Sequence, residues 1–114
     1  MYCRSMKAAE FTTLDIANFD SAVLARPGVC VVDFWSETCI PCRQMTRLLQ
    51  QLATEIPPDV LIGQVDALRN PALLARYGVR SLPTLLLFKD GALVETRTGI
   101  DRKQVLRRAI ETYL

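Results

Sequence analysis

Val31-Val32-Asp33-Phe34-Trp35-Ser36-Glu37-Thr38-Cys39-Ile40-Pro41-Cys42 decides how this chain is read. The stretch opens as a strand, because Val31, Val32, Phe34 and Trp35 are β-branched or aromatic and suit a pleated, buried surface. Ser36-Glu37-Thr38 then turns the chain. Two cysteines follow with two residues between them, and behind them Met45, Leu48, Leu49, Leu52 and Ile56 recur at helical spacing. The pattern predicts a helix from residue 41 towards residue 56, with Cys39 at its mouth and Cys42 about one turn inside. Pro41 suits the first turn, where its missing N–H costs nothing, and Pro57-Pro58 stops the helix.

That placement gives the cysteine spacing its chemistry. A helix N-terminus carries roughly half a positive charge and several unpaired N–H groups. A thiolate there is favoured over the thiol, and thiolate is the form that attacks a disulfide. The expected roles are Cys39 as attacking nucleophile and Cys42 as resolving thiol. Their own disulfide is then the redox-active group, with no bound cofactor and no metal expected. A C-x-x-C pair also serves as a metal half-site or as two incidental core thiols. Zinc takes about four ligands, yet the chain has no histidine, and its other cysteines, Cys3 and Cys30, stand alone. A lone C-x-x-C beside a strand–helix pattern favours redox chemistry, and an iron–sulfur cluster shared between two chains stays as the metal alternative.

Composition bounds the rest. The 114 residues suffice for one domain with one core, and 50% hydrophobic content excludes a disordered chain. A net charge of +2 makes no electrostatic case for nucleic acid or an anionic membrane. The first twenty residues carry Arg4, Lys7, Glu10, Asp15 and Asp20 and no continuous apolar segment, so they do not read as a signal peptide. Nothing later is long and apolar enough to span a bilayer. A reducing cytoplasm is the default, although a leader already removed would leave the same sequence. Residues 1–10 read as a tail and residues 11–114 as the domain. Met1 and Met6 are both possible starts, which leaves Cys3 either outside the native protein or exposed and incidental.

Residues 11–14 read as a short edge strand. Asp15 caps a following helix, with Asn18 in its first turn and Ile16, Phe19, Val23 and Leu24 at helical spacing. Arg26-Pro27-Gly28 ends it. Residues 29–35 are nearly all apolar, as in a strand buried on both faces, and Cys30 within them reads as a small core residue. Residues 60–65 form the next strand, so strand–helix–strand from 29 to 65 suggests a βαβ unit. Asn70-Pro71 opens a short helix bearing Leu73, Leu74 and Tyr77 that Gly78 closes. Residues 85–88 and 93–97 make a hairpin across Asp90-Gly91. Asp101 and Gln104 suggest a capping box ahead of a stripe of Val105, Leu106, Ala109, Ile110 and Tyr113. Arg102, Lys103, Arg107 and Arg108 fall mainly away from that stripe, as a solvated face.

Asp33 is the anomaly. A carboxylate between Val32 and Phe34 in a buried strand is costly unless solvated, paired or protonated. Its plainest reading is a side chain turned outward. Pro83, before another apolar strand, reads as the tolerated first residue of that strand, and Gly99 as a turn glycine.

Val32-Asp33-Phe34-Trp35 followed by Cys39-Ile40-Pro41-Cys42 resembles the thioredoxin family, as do Arg80-Ser81-Leu82-Pro83-Thr84, Lys89-Asp90-Gly91 and Gly99. The resemblance runs from about Phe11 to the C-terminus. It implies an α/β thioredoxin fold, a central mixed β-sheet flanked by helices on both faces, acting as a thiol–disulfide oxidoreductase. The implied partners are disulfide-containing protein substrates and a thioredoxin-reductase-like electron donor, with the chain a monomer. It further implies that Asp33 is buried beneath the disulfide, with a raised pKa, and acts as base towards Cys42. The lysine that the family often sets near this Asp aligns with Gln64, and losing that cation raises Asp33 further. A cis Leu82–Pro83 bond is implied against the cysteines, offering a backbone edge to an extended substrate, with Gly99 lining the substrate groove. Trp35, Thr38, Ile40, Pro41 and Leu82 complete the implied substrate surface.

Besides Gln64, three positions depart from the family pattern. Thr38 stands where its tryptophan is usual, Ile40 where its glycine is, and Arg47 where many members have a helix-kinking proline. The first two predict altered partner choice and a shifted potential; the third predicts a straighter helix. A specialised oxidant or isomerase, or a non-redox protein- or metal-binding module, are the alternative functions on the same fold.

Overall fold

Strands β1 (Phe11–Leu14), β2 (Val29–Trp35), β3 (Leu61–Asp66), β4 (Thr84–Lys89) and β5 (Ala92–Thr98) form one sheet in the order β1-β3-β2-β4-β5. The computed structural model describes Ala9 and residues 11–114; Cys3 and the remainder of the expected tail lie outside the described residues. β3 runs parallel to both β1 and β2, whereas β4 is antiparallel to β2 and β5, so the sheet is mixed. Among the described residues the α-helices are α1 (Ile40–Leu52), α2 (Pro71–Tyr77) and α3 (Lys103–Glu111).

β2 is the middle strand, and its first six residues are buried. Strand alternation divides its side chains between two cores. Val29 and Val31 pack with Met45 and Leu49 of α1 and Leu106 and Ile110 of α3. Cys30, Val32 and Phe34 face the other way, with Leu14, Phe19, Val23 and Leu73. Helices therefore cover both faces, which is why β2 reads as a continuous apolar run. Cys30 is a buried free thiol whose pKa burial pushes up, an inert core residue as its setting predicts. On its face of the sheet, Phe19 packs its ring against Tyr77 and Phe88 at centroid distances of 5.5 and 5.9 Å.

Local signals fall largely where the sequence puts them. Asp15 Oδ1 accepts the N–H groups of Ala17 and Asn18, and Asn18 Oδ1 accepts that of Asp15. The segment that follows ends in a wide π-helical turn, Asp20–Leu24. Phe19 and Val23 are buried there, but Ile16 and Leu24 are 49% and 36% exposed, so the expected apolar stripe is narrower than its spacing suggests. Pro71 opens α2, and Gly78 ends it in the left-handed conformation at φ 65°. Asn70 does not cap α2 with its side chain. Its Oδ1 accepts the Ile16 N–H and its Nδ2 donates to Asp66 O, tying the turn after β1 to the end of β3. Asp90 and Gly91 have φ of 51° and 82°, the pair of positive values that a tight two-residue hairpin between right-twisting strands requires.

Three local expectations are corrected. α1 ends at Leu52 rather than near Ile56. Tighter turns follow, with Thr54 N–H to Gln51 O and Glu55 N–H to Leu52 O, because Pro57 biases the residue before it away from helix. The Asp101/Gln104 capping box does not form: Asp101 binds Arg97 through one oxygen and the Arg102 N–H through the other, and α3 has no side-chain cap. Lys103 and Arg107 are not merely solvated, since both reach Glu55 just beyond α1.

Candidate active site

β2 delivers the chain to the cysteines, and α1 receives them. Cys39 sits at the α1 N-cap in extended conformation; its N–H donates to Ser36 O at 3.2 Å, and its Sγ accepts the Cys42 N–H at 3.2 Å. Pro41 occupies the first turn. Cys39 and Cys42 are joined as a disulfide, with Cα atoms 5.2 Å apart. The pair is asymmetric: Cys39 is half-buried, whereas Cys42 is 2% exposed and under cover of the helix. A partner thus meets Cys39 first. Thr38 and Pro41 are exposed beside it, and Ile40 is 67% exposed, a large apolar side chain presented to solvent.

Asp33 is not turned outward. It is fully buried on the same face of β2 as Val29 and Val31, the face that α1 covers. Its register partner on β3 is Gln64, whose Nε2 donates to Asp33 Oδ2 at 3.3 Å. Asp33 Oδ1 is buried with no hydrogen-bond partner among the described residues. Burial pushes the carboxyl from an ordinary 3.8 up to about 7, with the Gln64 hydrogen bond pulling weakly the other way. A group with that pKa takes up and releases a proton near neutrality.

The Leu82–Pro83 bond is cis, as the resemblance implies. The pairing of Phe34 with Thr84 sets Pro83 level with Trp35, at the end of β2 that leads to Cys39. Pro83 is buried, Leu82 half-buried, and Pro83 O accepts the Gly99 N–H at 2.9 Å. Leu82, Pro83 and Gly99 therefore form one edge on the β4 side of the dithiol. Trp35, half-buried, lines clefts of about 680 and 500 Å³ on the other side. The larger cleft takes in Cys42, Thr46, Arg47 and Gln64. Thr46 belongs to no motif, and the family pattern touches Arg47 only through helix shape. The signal that locates them is helical spacing, since Thr46 follows Cys42 by four residues and Arg47 follows Arg43 by four. Arg43 donates to Glu37 O at 3.2 Å and so braces the turn before Cys39. Among the described residues no group of three or more Cys, Asp or Glu side chains is placed to hold a metal ion, and no helix is long and apolar enough to cross a membrane.

The comparisons with known proteins agree with this geometry. The family model described as thioredoxin matches residues 10–112. The thioredoxin of Rhodospirillum rubrum is 40% identical over 95 residues, 83% of this chain and 91% of that protein. That of Chlamydia caviae is 41% identical over 96 residues, 84% and 91% of the two chains. Among solved structures, a mutant thioredoxin from Halobacterium salinarum superposes with a TM-score of 0.84 at 31% identity, covering 94% of this chain and 93% of that one. With its mixed sheet, its cysteine pair at a helix start and this agreement over most of its length, the chain belongs to the thioredoxin family.

Proposed function

We propose that this thiol–disulfide oxidoreductase reduces disulfides in protein substrates by exchange through Cys39 and Cys42. Cys39 thiolate attacks one substrate sulfur; the substrate disulfide breaks, and its other sulfur leaves as a thiolate. Cys42 then gives its proton to the Asp33 carboxylate and attacks Cys39 Sγ. The mixed disulfide breaks, the second substrate thiolate leaves, and the Cys39–Cys42 disulfide forms. Two electrons pass to the substrate, and a thioredoxin-reductase-like donor restores the dithiol. The observation that carries this reading is the asymmetry of the pair, with Cys39 accessible at a helix start and Cys42 buried behind it.

The substrate lies along the cis Pro83 edge and touches Trp35, Thr38, Ile40, Pro41, Leu82 and Gly99. No bound cofactor or metal takes part. The functional unit is residues 11–114, a monomer with its active-site face open. A reducing cytoplasm suits the unpaired Cys30 thiol, and a net charge of +2 gives no reason to add a nucleic acid or membrane partner. Turnover of an insulin-type disulfide with dithiothreitol as reductant tests the reading. Cys39→Ser should abolish it, and Cys42→Ser should accumulate a mixed disulfide on Cys39. Retained turnover in Cys39→Ser would overturn the mechanism.

A further inference from the structure

The cleft of about 680 Å³ beside Cys42 is separate from the Leu82, Pro83 and Gly99 edge. None of those three residues lines it. In the sheet order β3-β2-β4, it lies on the β3 side of β2, between Gln64 and α1, and the cis-proline edge lies on the β4 side. Arg43 and Arg47 line it one helical turn apart, on the same side of α1.

The cleft gathers two cations onto one wall, whereas Arg26, Arg80, Lys89, Arg102 and Arg108, likewise without a carboxylate partner among the described residues, do not line it. Arg69, Arg76, Arg97, Lys103 and Arg107 all pair with carboxylates of this chain. Among the described residues Arg43 and Arg47 pair with none, and the Arg43 guanidinium is held by a carbonyl instead. One carboxylate, Glu37, lines the cleft with them. Two guanidinium groups against one carboxylate, beside the positive end of α1, leave the cleft net positive.

We infer that this cleft is a second recognition subsite, which takes acidic side chains of a protein substrate flanking the cysteine that Cys39 attacks. The inference rests on the reductase reading above and names the substrate class that the site prefers. Helical rise puts Arg43 about 6 Å and Arg47 about 12 Å along α1 from Cys39. An extended segment covers about 3.3 Å per residue. Acidic residues about two and four positions from the attacked cysteine would therefore meet the two arginines.

Three peptide disulfides test this, identical except for Glu, Gln or Lys at those two positions, with the full chain recycled by dithiothreitol. The expected order of kcat/KM is Glu above Gln above Lys, with up to about thirtyfold between Glu and Gln, the ceiling for two exposed ion pairs. The order should collapse near 1 M salt, where the Debye length is about 3 Å. Arg47→Glu should abolish the preference for Glu over Lys, because Arg43 then favours acid at one position and the new carboxylate at position 47 opposes it at the other, and Arg47→Gln should narrow the gap between the peptides. Equal reduction of all three peptides, or an order that survives Arg47→Glu, would overturn the subsite alone. Failure to reduce any of them would overturn the reductase reading and the subsite with it.

Discussion

Asp33 gives the site a dependence on pH that the cysteines alone would not. Its carboxyl is raised from 3.8 to about 7 by burial, so the folded state holds its proton more tightly than the unfolded chain does. The Asp33 contribution to stability is therefore fullest below pH 4 and is lost as pH rises towards 7, because the folded state must then bury a charge. The span corresponds to roughly 4 kcal/mol, more than half of it between pH 5 and 8. Asp33→Asn should flatten that loss and stabilise the protein at pH 8, as read from urea unfolding at both pH values; parallel losses in parent and variant would refute the burial argument. The same substitution should slow disulfide reduction at pH 7, where the carboxylate is needed as base. Gln64→Lys sets a cation opposite Asp33 and should lower its pKa, read directly by NMR titration of the carboxyl. Ile40, 67% exposed beside Cys39, should tune the redox couple: Ile40→Gly is expected to move the reduction potential, and an unchanged value would remove that role.

The elements differ in how much of them the sequence discloses. β2 is legible end to end, because a strand buried on both faces reads as a nearly continuous apolar run, broken here only at Asp33. The Asp90-Gly91 hairpin is legible because its two positive φ values demand those residue types. Gly91 also meets a steric wall: a Cβ there would lie 2.2 Å from the backbone oxygen of Leu24. Gly91→Ala should accordingly cost at least about 2 kcal/mol in urea unfolding. The potential should stay unchanged, because the turn is at the end of β4 far from Pro83; an unaltered stability would mean that the turn is not so constrained. The end of α1, the start of α3 and the narrow face around Phe19 are less legible. Each depends on a local competitor that apolar spacing does not display: Pro57 against the last turn, Arg97 against the Asp101 cap, and a wide helical turn that leaves Ile16 and Leu24 outside the core.

For the whole molecule, the site is an outcome of sheet order. β2 lies between β3 and β4, so the cysteines at its end have Gln64 and the α1 cleft on one flank and Pro83 with Gly99 on the other. The sequence discloses the dithiol through spacing alone and the Pro83 edge through resemblance alone. The depth of Asp33 is likewise disclosed through resemblance, against the plain reading of an outward side chain, and the cleft becomes visible only once the strands are set side by side. Disulfide reduction requires Cys39 and Cys42 to form a reducing couple, so their reduction potential is the most direct test. It is measured by equilibration against dithiothreitol and glutathione buffers, with Trp35, the single tryptophan, as fluorescent reporter beside the site. Membership of the family predicts a value near about −270 mV, displaced by Ile40 but still reducing. A value above about −200 mV, or no intramolecular disulfide at any poise, would contradict the account.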